Sequence, residues 1–292
     1  MYRIGLIGTE NSHARAFAKV FAQEPDFADM QVTAAYGDEG VEKSEKIREF
    51  FPACAIVERP ENMLGLVDAV MITSRDGKLH YGYAKPFLEA GIPMFVDKPF
   101  TVAGDEAIQL AAEAKKRGIP LCGGSSLKCC PDVLEMAAQR QALGENMRTG
   151  FASAPLMIAS PYSGFYFYAS HLAEICLAVF GWEPESVTAL RKGKCVTAVV
   201  HYPGFDAVCS YTDGCSRYFV QLTGAKDVLQ AREIDLAPAY RLEAEEFVQM
   251  VRTGHMPYTY EQLMMMPVFF LNAVQESYET GNTVPIRKER LE

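Results

Sequence analysis

Short apolar runs alternate with stretches of helical periodicity along the first third of the chain. The apolar runs predict strands at residues 4–7, 31–36, 55–57, 67–72, 94–96 and 119–122. Helices are predicted between them at residues 13–22, 41–51, 60–66, 81–90 and 105–117. Strands that alternate with helices through short connections are typical of a parallel sheet with helices on both faces. The pattern therefore predicts a doubly wound parallel sheet in this part of the chain.

The pattern changes after about residue 122. Helices are predicted at residues 131–141, 171–180, 240–252 and 260–280, and strands at 186–190, 195–202, 207–212, 217–223 and 228–231. Turn signals such as Pro203-Gly204 and Asp213-Gly214 separate these strands, as in an antiparallel sheet with one packed face. The predicted fold class is α/β. A Rossmann-like domain occupies residues 1–122, and an α+β domain with a mostly antiparallel, open-faced sheet occupies residues 123–292.

The charge balance narrows the range of partners. Among 292 residues, 28 are Lys or Arg and 37 are Asp or Glu, so the formal net charge is −9. This balance argues against nucleic acid, whose binding needs a positive surface, and against an anionic membrane. No apolar stretch approaches the length that spans a bilayer. Neither nucleic acid nor a membrane is therefore expected as a partner.

The eight cysteines lack the spacing of a metal or redox site. None stands in a Cys-x-x-Cys pair, so zinc-ribbon and thioredoxin-type motifs are missing. The N-terminal residues resemble a buried strand rather than a secretory signal. We therefore expect free thiols and a cytoplasmic protein.

The turn after the first strand lies where a dinucleotide diphosphate binds in such sheets. It comprises Gly8, Thr9, Glu10, Asn11, Ser12 and His13, and Ser12 is the predicted N-cap of the following helix. The glycine fingerprint needs Gly at positions 8, 10 and 13, and only Gly8 is present. A carboxylate about 5 Å from a phosphate costs about 3 kcal/mol at an effective dielectric of 20. Either Glu10 points away from the diphosphate, or cofactor binding is altered or lost, or the segment is a plain strand-to-helix turn.

Residues 80–100 carry a more specific pattern. His80 opens a helix that ends in Leu-Glu-Ala-Gly at 88–91, and a strand then leads into Asp97-Lys98-Pro99. This segment resembles the Gfo/Idh/MocA family of oxidoreductases, whose pattern is a His, a helix ending in Leu-x-Ala-Gly, a strand and Glu-Lys-Pro. The resemblance extends through residues 67–70 and to the closing helices and Val284-Pro285-Ile286.

The resemblance implies an NAD- or NADP-dependent dehydrogenase that acts on a sugar, cyclitol or related polyol. In the family, the lysine of the tripeptide contacts both the nicotinamide ribose and the substrate hydroxyl, and Lys98 takes that place here. An ammonium group at the end of a strand can stabilise a developing alkoxide. Without the surrounding segment, Lys98 would be interpreted as a solvated surface lysine.

A third segment, residues 168–174, matches the family pattern Asp-x-Gly-x-His-x-x-Asp in part. His171 matches the His and Glu174 replaces the last Asp, whereas Phe167 stands at the first Asp. A neutral imidazole near the substrate can carry the hydroxyl proton; the alternative is a packed or capping histidine. The missing acid argues against a two-group proton relay. No third ligand suggests itself beside His171 and Glu174, so no metal site is predicted.

The remaining site residues come from the same comparison. The predicted cofactor-binding residues are Gly8, Thr9, Glu10, Asn11, Ser12, His13, Asp38, Thr73, Ser74, His80, Asp97, Lys98 and Pro99. Asp38 follows the second strand, where an acid binds ribose hydroxyls, and this favours NAD over NADP. Lys128, Tyr168 and Glu174 are the predicted substrate-binding residues, with a surface charge as the alternative for Lys128.

Three functional hypotheses follow. The first is an NAD(P)-dependent oxidoreductase with Lys98 and His171 as catalytic residues. The second is a non-catalytic family member that binds a metabolite or partner, and the third is an enzyme that uses tightly bound NAD for chemistry without net redox change. The open sheet face predicts a homodimer or homotetramer, because monomers seldom expose large apolar surfaces.

Overall fold

The computed structural model describes residues 1–226 and 229–291, which form two compact units. The first unit contains Met1–Gly124, Tyr240–Met264 and Leu291, and the second contains Ser125–Ala239 and Met265–Arg290. Within the described residues, no helix is both long and apolar enough to cross a membrane.

The first unit contains a six-stranded sheet in which every pairing is parallel. Its strands are β1 (Tyr2–Ile7), β2 (Met30–Tyr36), β3 (Ala55–Ile56), β4 (Ala69–Ile72), β5 (Met94–Asp97) and β6 (Leu121–Gly124). Their order is β3-β2-β1-β4-β5-β6, so the strand order reverses between β1 and β4. Ligands of doubly wound sheets bind beyond the carboxyl ends of the strands at such a reversal. The predicted Rossmann-like sheet is confirmed.

Four helices connect these strands: α1 (Ser12–Gln23), α2 (Val41–Glu45), α3 (His80–Ala90) and α4 (Gly104–Arg117). Three 3₁₀ segments lie among them, at Pro25–Phe27, Lys46–Glu49 and Pro60–Met63. The single helix predicted at residues 41–51 is therefore a short α-helix that continues as a 3₁₀ segment. Helix α1 buries Ala14, Phe17, Ala18 and Phe21 on one face, as its apolar spacing predicted.

The second unit is built on a seven-stranded sheet in the order β12-β11-β7-β10-β9-β8-β13. The strands are β7 (Met147–Leu156), β8 (Ser186–Lys192), β9 (Cys195–Tyr202), β10 (Phe205–Asp213), β11 (Phe219–Gly224), β12 (Leu229–Glu233) and β13 (Val284–Pro285). Among the described strands, β7 and β10 form the one parallel pair, and the other pairs are antiparallel. The predicted strand at 228–231 corresponds to β12, and Val228 lies outside the described residues.

Four helices accompany this part of the chain: α5 (Pro131–Leu143), α6 (Tyr166–Phe180), α7 (Ala239–Thr253) and α8 (Met266–Thr280). Shorter 3₁₀ segments occupy Ser126–Cys129 and Gly144–Asn146, and a π-helical turn at Glu261–Met265 precedes α8. The single helix predicted at residues 260–280 is thus a π-helical turn followed by α8.

Helix α7 returns to the first unit. Ala244, Phe247, Val248 and Met250 belong to the same apolar core as the inner faces of α1 and the parallel sheet. The Phe247 ring lies 6.1 Å from that of Phe21, and Arg252 pairs with Asp29 at 2.6 Å. The periodicity at 240–252 predicts a helix here but carries no information about which unit it joins.

Strand β7 lies inside the second sheet, between β11 and β10, and the sequence pattern did not predict it. Its Gly150 and Pro155 are both disfavoured in strands, which weakens the local signal. A Cβ atom at Gly150 would lie 2.4 Å from the ring of Phe180 on α6, so only glycine lets this helix pack against the strand. On the sheet's other face, Phe151 and Phe219 are half-buried, as an open-faced sheet requires.

Candidate functional site

Gly8 brings the turn after β1 against the end of β4. It has a φ of +89°, and a Cβ atom there would lie 2.2 Å from the backbone nitrogen of Ser74. The Asn11 side chain donates to the Thr73 carbonyl at 2.8 Å and accepts the His13 N–H at 3.4 Å. Asn11 is therefore the N-cap of α1.

The prediction that Ser12 caps α1 is wrong by one residue. Ser12 is the first residue of the helix, and the preceding Asn11 supplies the capping oxygen. Both residue types are favoured at N-caps, so the sequence alone does not separate them. In the same turn, the hydroxyl groups of Thr9 and Ser44 lie 2.6 Å apart, which fixes the buried Thr9 side chain.

Glu10 points toward the ends of two neighbouring strands. Its Oε2 accepts the Asp38 N–H beyond β2 at 3.2 Å, and its Oε1 accepts the Arg75 N–H beyond β4 at 3.3 Å. The side chain is buried, and burial, followed by the nearby Asp38 charge, raises the pKa of Glu10. The Glu10 carboxylate thus links its own turn to the loops beyond β2 and β4 through hydrogen bonds from backbone N–H groups. Of the alternatives left open by the sequence, these bonds favour the one in which Glu10 points away from the diphosphate.

Asp38 is held by two tyrosines. Its Oδ1 accepts the hydroxyl of Tyr36 at 3.0 Å and that of Tyr83 on α3. Burial and then the Asp38 carboxylate raise the pKa of Tyr83, so its phenol stays a donor. No local pattern predicts Tyr83 as a site residue, because its partner lies 45 positions away. The arrangement presents an exposed carboxylate of fixed orientation at the end of β2.

Thr73, Ser74 and His80 order the loop after β4. The Thr73 hydroxyl donates to the Ile7 carbonyl at 2.8 Å, and the His80 ring nitrogens face the carbonyls of Ser74 at 2.8 Å and Phe100 at 3.3 Å. His80 therefore links the loops beyond β4 and β5. The Ser74 hydroxyl is buried, and among the described residues it has no hydrogen-bond partner.

The end of β5 carries the tripeptide Asp97-Lys98-Pro99. Asp97 is 1% exposed and Lys98 is 5% exposed, so this lysine is not a solvated surface residue. Asp97 Oδ1 accepts the Lys98 N–H at 2.7 Å, and His13 Nδ1–H donates to Asp97 Oδ2 at 2.6 Å. The Lys98–Pro99 peptide bond is cis.

These residues of the first unit fit a dinucleotide. The Glu10 carboxylate accepts backbone N–H groups beyond β2 and β4 and is not directed at the start of α1. Among the residues that the structure describes, none bonds to the buried hydroxyl of Ser74 at the strand-order reversal. Buried polar groups are normally hydrogen-bonded, so such an orphan is typical of a ligand site. Asp38, in turn, is placed to accept ribose hydroxyls.

In the second unit, His171 is joined to a buried serine. Its Nδ1 lies 2.7 Å from the Ser125 hydroxyl, and the Ser125 N–H donates to Glu174 Oε1 at 2.8 Å. His171 and Glu174 lie on one face of α6, as their spacing of three predicted. Ser125 directly follows β6, and sequence reasoning missed it because its partners lie 46 and 49 positions away.

Lys128 is buried against Glu174. Its Nζ lies 3.1 Å from Glu174 Oε2 and donates to the Ser125 carbonyl at 3.2 Å. The two side chains are 1% and 2% exposed. The surface-charge alternative for Lys128 is therefore wrong. A buried charge needs a partner, and the pair braces the serine that holds His171.

Aromatic rings surround His171. The Tyr168 ring lies 6.2 Å from the imidazole and that of Tyr218 lies 5.8 Å away, edge-on. Phe167, at the position of the missing acid, packs against Tyr168 and Tyr162. Within residues 1–226 and 229–291, no group of three or more His, Cys, Asp or Glu side chains is arranged to hold a metal ion.

Comparison with known proteins identifies relatives. Residues 2–124 match the model of an oxidoreductase family with an NAD-binding Rossmann fold. The uncharacterized oxidoreductase YdgJ of Escherichia coli is 28% identical over 223 residues, which are 69% of this chain. The match spans 62% of the length of that relative.

Solved structures share the fold over nearly the whole chain. A myo-inositol dehydrogenase from Corynebacterium glutamicum aligns with a TM-score of 0.81 at 18% identity, over 99% of this chain and 100% of that one. A scyllo-inositol dehydrogenase from Lactobacillus casei, with bound NAD(H) and scyllo-inositol, aligns with a TM-score of 0.82 at 14% identity, over 98% and 99%. At such identities the likeness concerns the fold.

Proposed function

We propose that the chain is an NAD(P)-dependent dehydrogenase of a sugar, cyclitol or related polyol, because residues 2–124 match the model of the Gfo/Idh/MocA oxidoreductase family with its NAD-binding Rossmann fold. The observation that carries the proposal is the buried Lys98 at the carboxyl end of β5, with its backbone bonded to Asp97. A buried ammonium at this edge of a doubly wound sheet is suited to ligand chemistry.

The nicotinamide of the bound cofactor would exchange a hydride with the substrate carbon. Lys98 supplies a positive charge that stabilises the alkoxide form of the substrate oxygen. Asp38 accepts ribose hydroxyls, and its carboxylate, with that of Glu10 bonded to the Asp38 N–H, disfavours the extra phosphate of NADP. NAD is therefore the proposed cofactor.

His171 is the proposed carrier of the hydroxyl proton. A serine oxygen can accept a hydrogen bond from Nδ1–H, and this leaves Nε2 as the acceptor of the substrate proton. The Lys128–Glu174 pair holds the Ser125 backbone, because Glu174 accepts its N–H and Lys128 donates to its carbonyl. Tyr168 is half-buried beside the imidazole and offers a ring face to the apolar side of a polyol.

We further propose a homodimer or homotetramer in the cytoplasm. Phe151, Val199, Val208 and Phe219 are half-buried on the open face of the second sheet. Apolar side chains in such a row are typical of a protein interface. The cysteine usage, which favours the cytoplasm, is the support for the location.

Calorimetric titration with NAD and NADP, followed by a panel of polyols, tests the function. We expect NAD to bind at least about tenfold more tightly than NADP, and reduced cofactor to accumulate with at least one polyol. Absence of NAD binding would favour a non-catalytic protein. Binding without accumulation of reduced cofactor would favour chemistry with no net redox change.

The variant Lys98→Ala tests the central residue. Loss of the ammonium should lower turnover at least about a hundredfold and leave the unfolding midpoint close to that of the wild type. Lys85→Ala, which removes an exposed lysine of α3, is the matched control and should keep full turnover. Equal turnover in the two variants would remove Lys98 from the mechanism.

A further inference from the structure

His13 connects the first turn of α1 to the tripeptide that carries Lys98. Its Nδ1–H donates to Asp97 Oδ2 at 2.6 Å, and Asp97 Oδ1 accepts the Lys98 N–H at 2.7 Å. One carboxylate thus holds the histidine on one oxygen and the lysine backbone on the other. The histidine stands where the glycine fingerprint has its third glycine.

The pair is far more enclosed than another histidine–aspartate pair of the chain. The side chains of His13 and Asp97 are 14% and 1% exposed, whereas those of His201 and Asp206, which lie 2.9 Å apart, are 32% and 56% exposed. An exposed pair competes with water and contributes little, but a buried carboxylate depends on its donors. Removal of His13 therefore leaves Asp97 with one oxygen uncompensated.

The electrostatics of Asp97 agree with this dependence. Burial alone would raise its pKa, but the charge and hydrogen bond of His13, with a contribution from Lys98, hold the pKa below its usual value. Asp97 therefore stays ionised and remains an acceptor for both donors.

The imidazole also packs against an aromatic ring of a second helix. The His13 ring lies edge-on to Tyr240 at 5.1 Å, and Tyr240 packs against Phe17 at 5.8 Å. Tyr240 belongs to α7, the helix that returns to the first unit. The imidazole is thus packed against a ring of another helix while it is bonded to Asp97 at the end of β5.

We propose that His13 is a positioning residue for Lys98: it fixes the Asp97 carboxylate, which in turn fixes the Lys98 backbone at the end of β5. The consequence for the reaction rests on the proposed function, whereas the effect on Lys98 itself does not. In this arrangement the residue that departs from the glycine fingerprint supports the lysine.

Two substitutions of His13 distinguish the effect of its hydrogen bond to Asp97 from the effect of removing a side chain. His13→Ala removes the donor. His13→Asn keeps an N–H donor the same number of bonds from the backbone as Nδ1. His255→Ala, at an exposed histidine in the same unit, is the control.

Acetylation by acetic anhydride, followed by mass spectrometry of each lysine, reports on Lys98 without any cofactor. In His13→Ala we expect Lys98 to react about threefold faster or more, because the Asp97 carboxylate that holds its backbone is no longer fixed. Its rate should stay near the wild-type value in His13→Asn and His255→Ala. Lys128, which is also buried and lies in the other unit, is the internal reference, and its rate should not change in any variant.

An unchanged Lys98 rate in His13→Ala overturns the proposal, and so does a His13→Asn protein that behaves like His13→Ala. With a polyol substrate, His13→Ala should lower kcat about tenfold and change the KM for NAD less than about threefold, since a misplaced ammonium matters most in the transition state. If Lys98 becomes more reactive but the wild type binds no NAD, the dehydrogenase proposal fails and the positioning of Lys98 stands.

Discussion

At the scale of single residues, Ser125 controls the ring of the proposed proton carrier. The bond of 2.7 Å between its hydroxyl and His171 Nδ1 is buried, so water does not replace it. An imidazole that transfers a proton at Nε2 needs a partner at Nδ1 to set its tautomer and orientation. A serine supplies this without adding a second charge beside the Lys128–Glu174 pair.

Ser125→Ala should therefore lower kcat about tenfold and shift the pH–rate profile, because partners that orient a catalytic group typically contribute factors of 10–100. Steady-state kinetics over a pH series measure both effects. Ser126→Ala changes the neighbouring serine and should behave like the wild type. A Ser125→Ala profile that superimposes on that of the wild type would argue against a role in proton transfer.

Glu10 predicts a dependence of stability on pH. Burial, followed by the Asp38 charge, raises its pKa above the ordinary value of 4.5, so the folded state favours the protonated form. Its contribution to stability is fully present below pH 4.5 and is lost as the pH rises through the folded-state pKa. Relative to Glu10→Gln, the wild type should lose unfolding free energy on going from pH 4 to pH 7.

Urea unfolding of both proteins across that range measures the difference. Glu42→Gln, at an exposed carboxyl of α2, is the control and should follow the wild type at every pH. A constant difference between wild type and Glu10→Gln would mean that the carboxyl titrates alike in the folded and unfolded chains.

Candidate site residues could be predicted where they stand in a local sequence motif, but their hydrogen-bond partners elsewhere in the chain could not. Lys98 and His171 were predicted from segments of a few residues. Ser125 and Tyr83 carry no local signal, because each meets its partner only after the chain has folded across more than 40 positions. The orientation of Glu10 was equally undetermined, since the backbone N–H groups that it accepts belong to other strand ends.

At the scale of elements, the turn between β1 and α1 depends on one glycine. Gly8 has positive φ, and a Cβ atom would lie 2.2 Å from the Ser74 nitrogen. Gly8→Ala should lower the unfolding free energy by about 3 kcal/mol, since backbone strain and a steric clash each cost 1–3 kcal/mol. NAD binding should be lost with it.

Gly82→Ala is the matched control for that substitution. Gly82 lies inside α3, and a Cβ atom there meets nothing within 4 Å. Alanine at this helical position should raise stability by about 0.5–1 kcal/mol. Urea unfolding measures the unfolding free energy of both variants. A Gly8→Ala protein as stable as Gly82→Ala would show that the close approach of this turn to β4 is not needed for stability.

The elements differed in how well their patterns predicted them. The buried strands and the longer amphipathic helices of the first unit follow local apolar spacing and were found there, whereas the helix predicted at residues 60–66 is the 3₁₀ segment Pro60–Met63. Strand β7 escaped prediction because Gly150 serves the packing of Phe180 rather than strand propensity. The side on which α7 packs depends on complementarity with α1, as the Phe247–Phe21 contact illustrates, and no periodicity encodes it.

At the scale of the whole molecule, the resemblance to the Gfo/Idh/MocA oxidoreductases is confirmed. The family model matches residues 2–124, and inositol dehydrogenases share the fold over 98–99% of the chain. The motif at residues 80–100 was sufficient for this prediction because it combines strand, helix and tripeptide in a fixed order. The motif does not specify the substrate, since Tyr168, a proposed substrate-binding residue, stands at a position that the family pattern leaves open.

The open face of the second sheet predicts self-association. Val208 on β10 and Val199 on β9 are opposite one another in the antiparallel ladder, and both are half-buried on that face. If two copies bury this face, Val208→Glu introduces a charge into an apolar contact and should dissociate the assembly. Because the side chain lies on the sheet surface, the fold of each protomer should survive.

Light scattering coupled to size exclusion measures the mass of wild type and variant. We expect a dimer or tetramer for the wild type and a smaller species for Val208→Glu, with circular dichroism unchanged. Leu134→Glu places the same charge on α5, where Leu134 is 52% exposed, and should leave the wild-type mass intact. A monomeric wild type would contradict the interface, and a Val208→Glu protein of wild-type mass would move it to another surface.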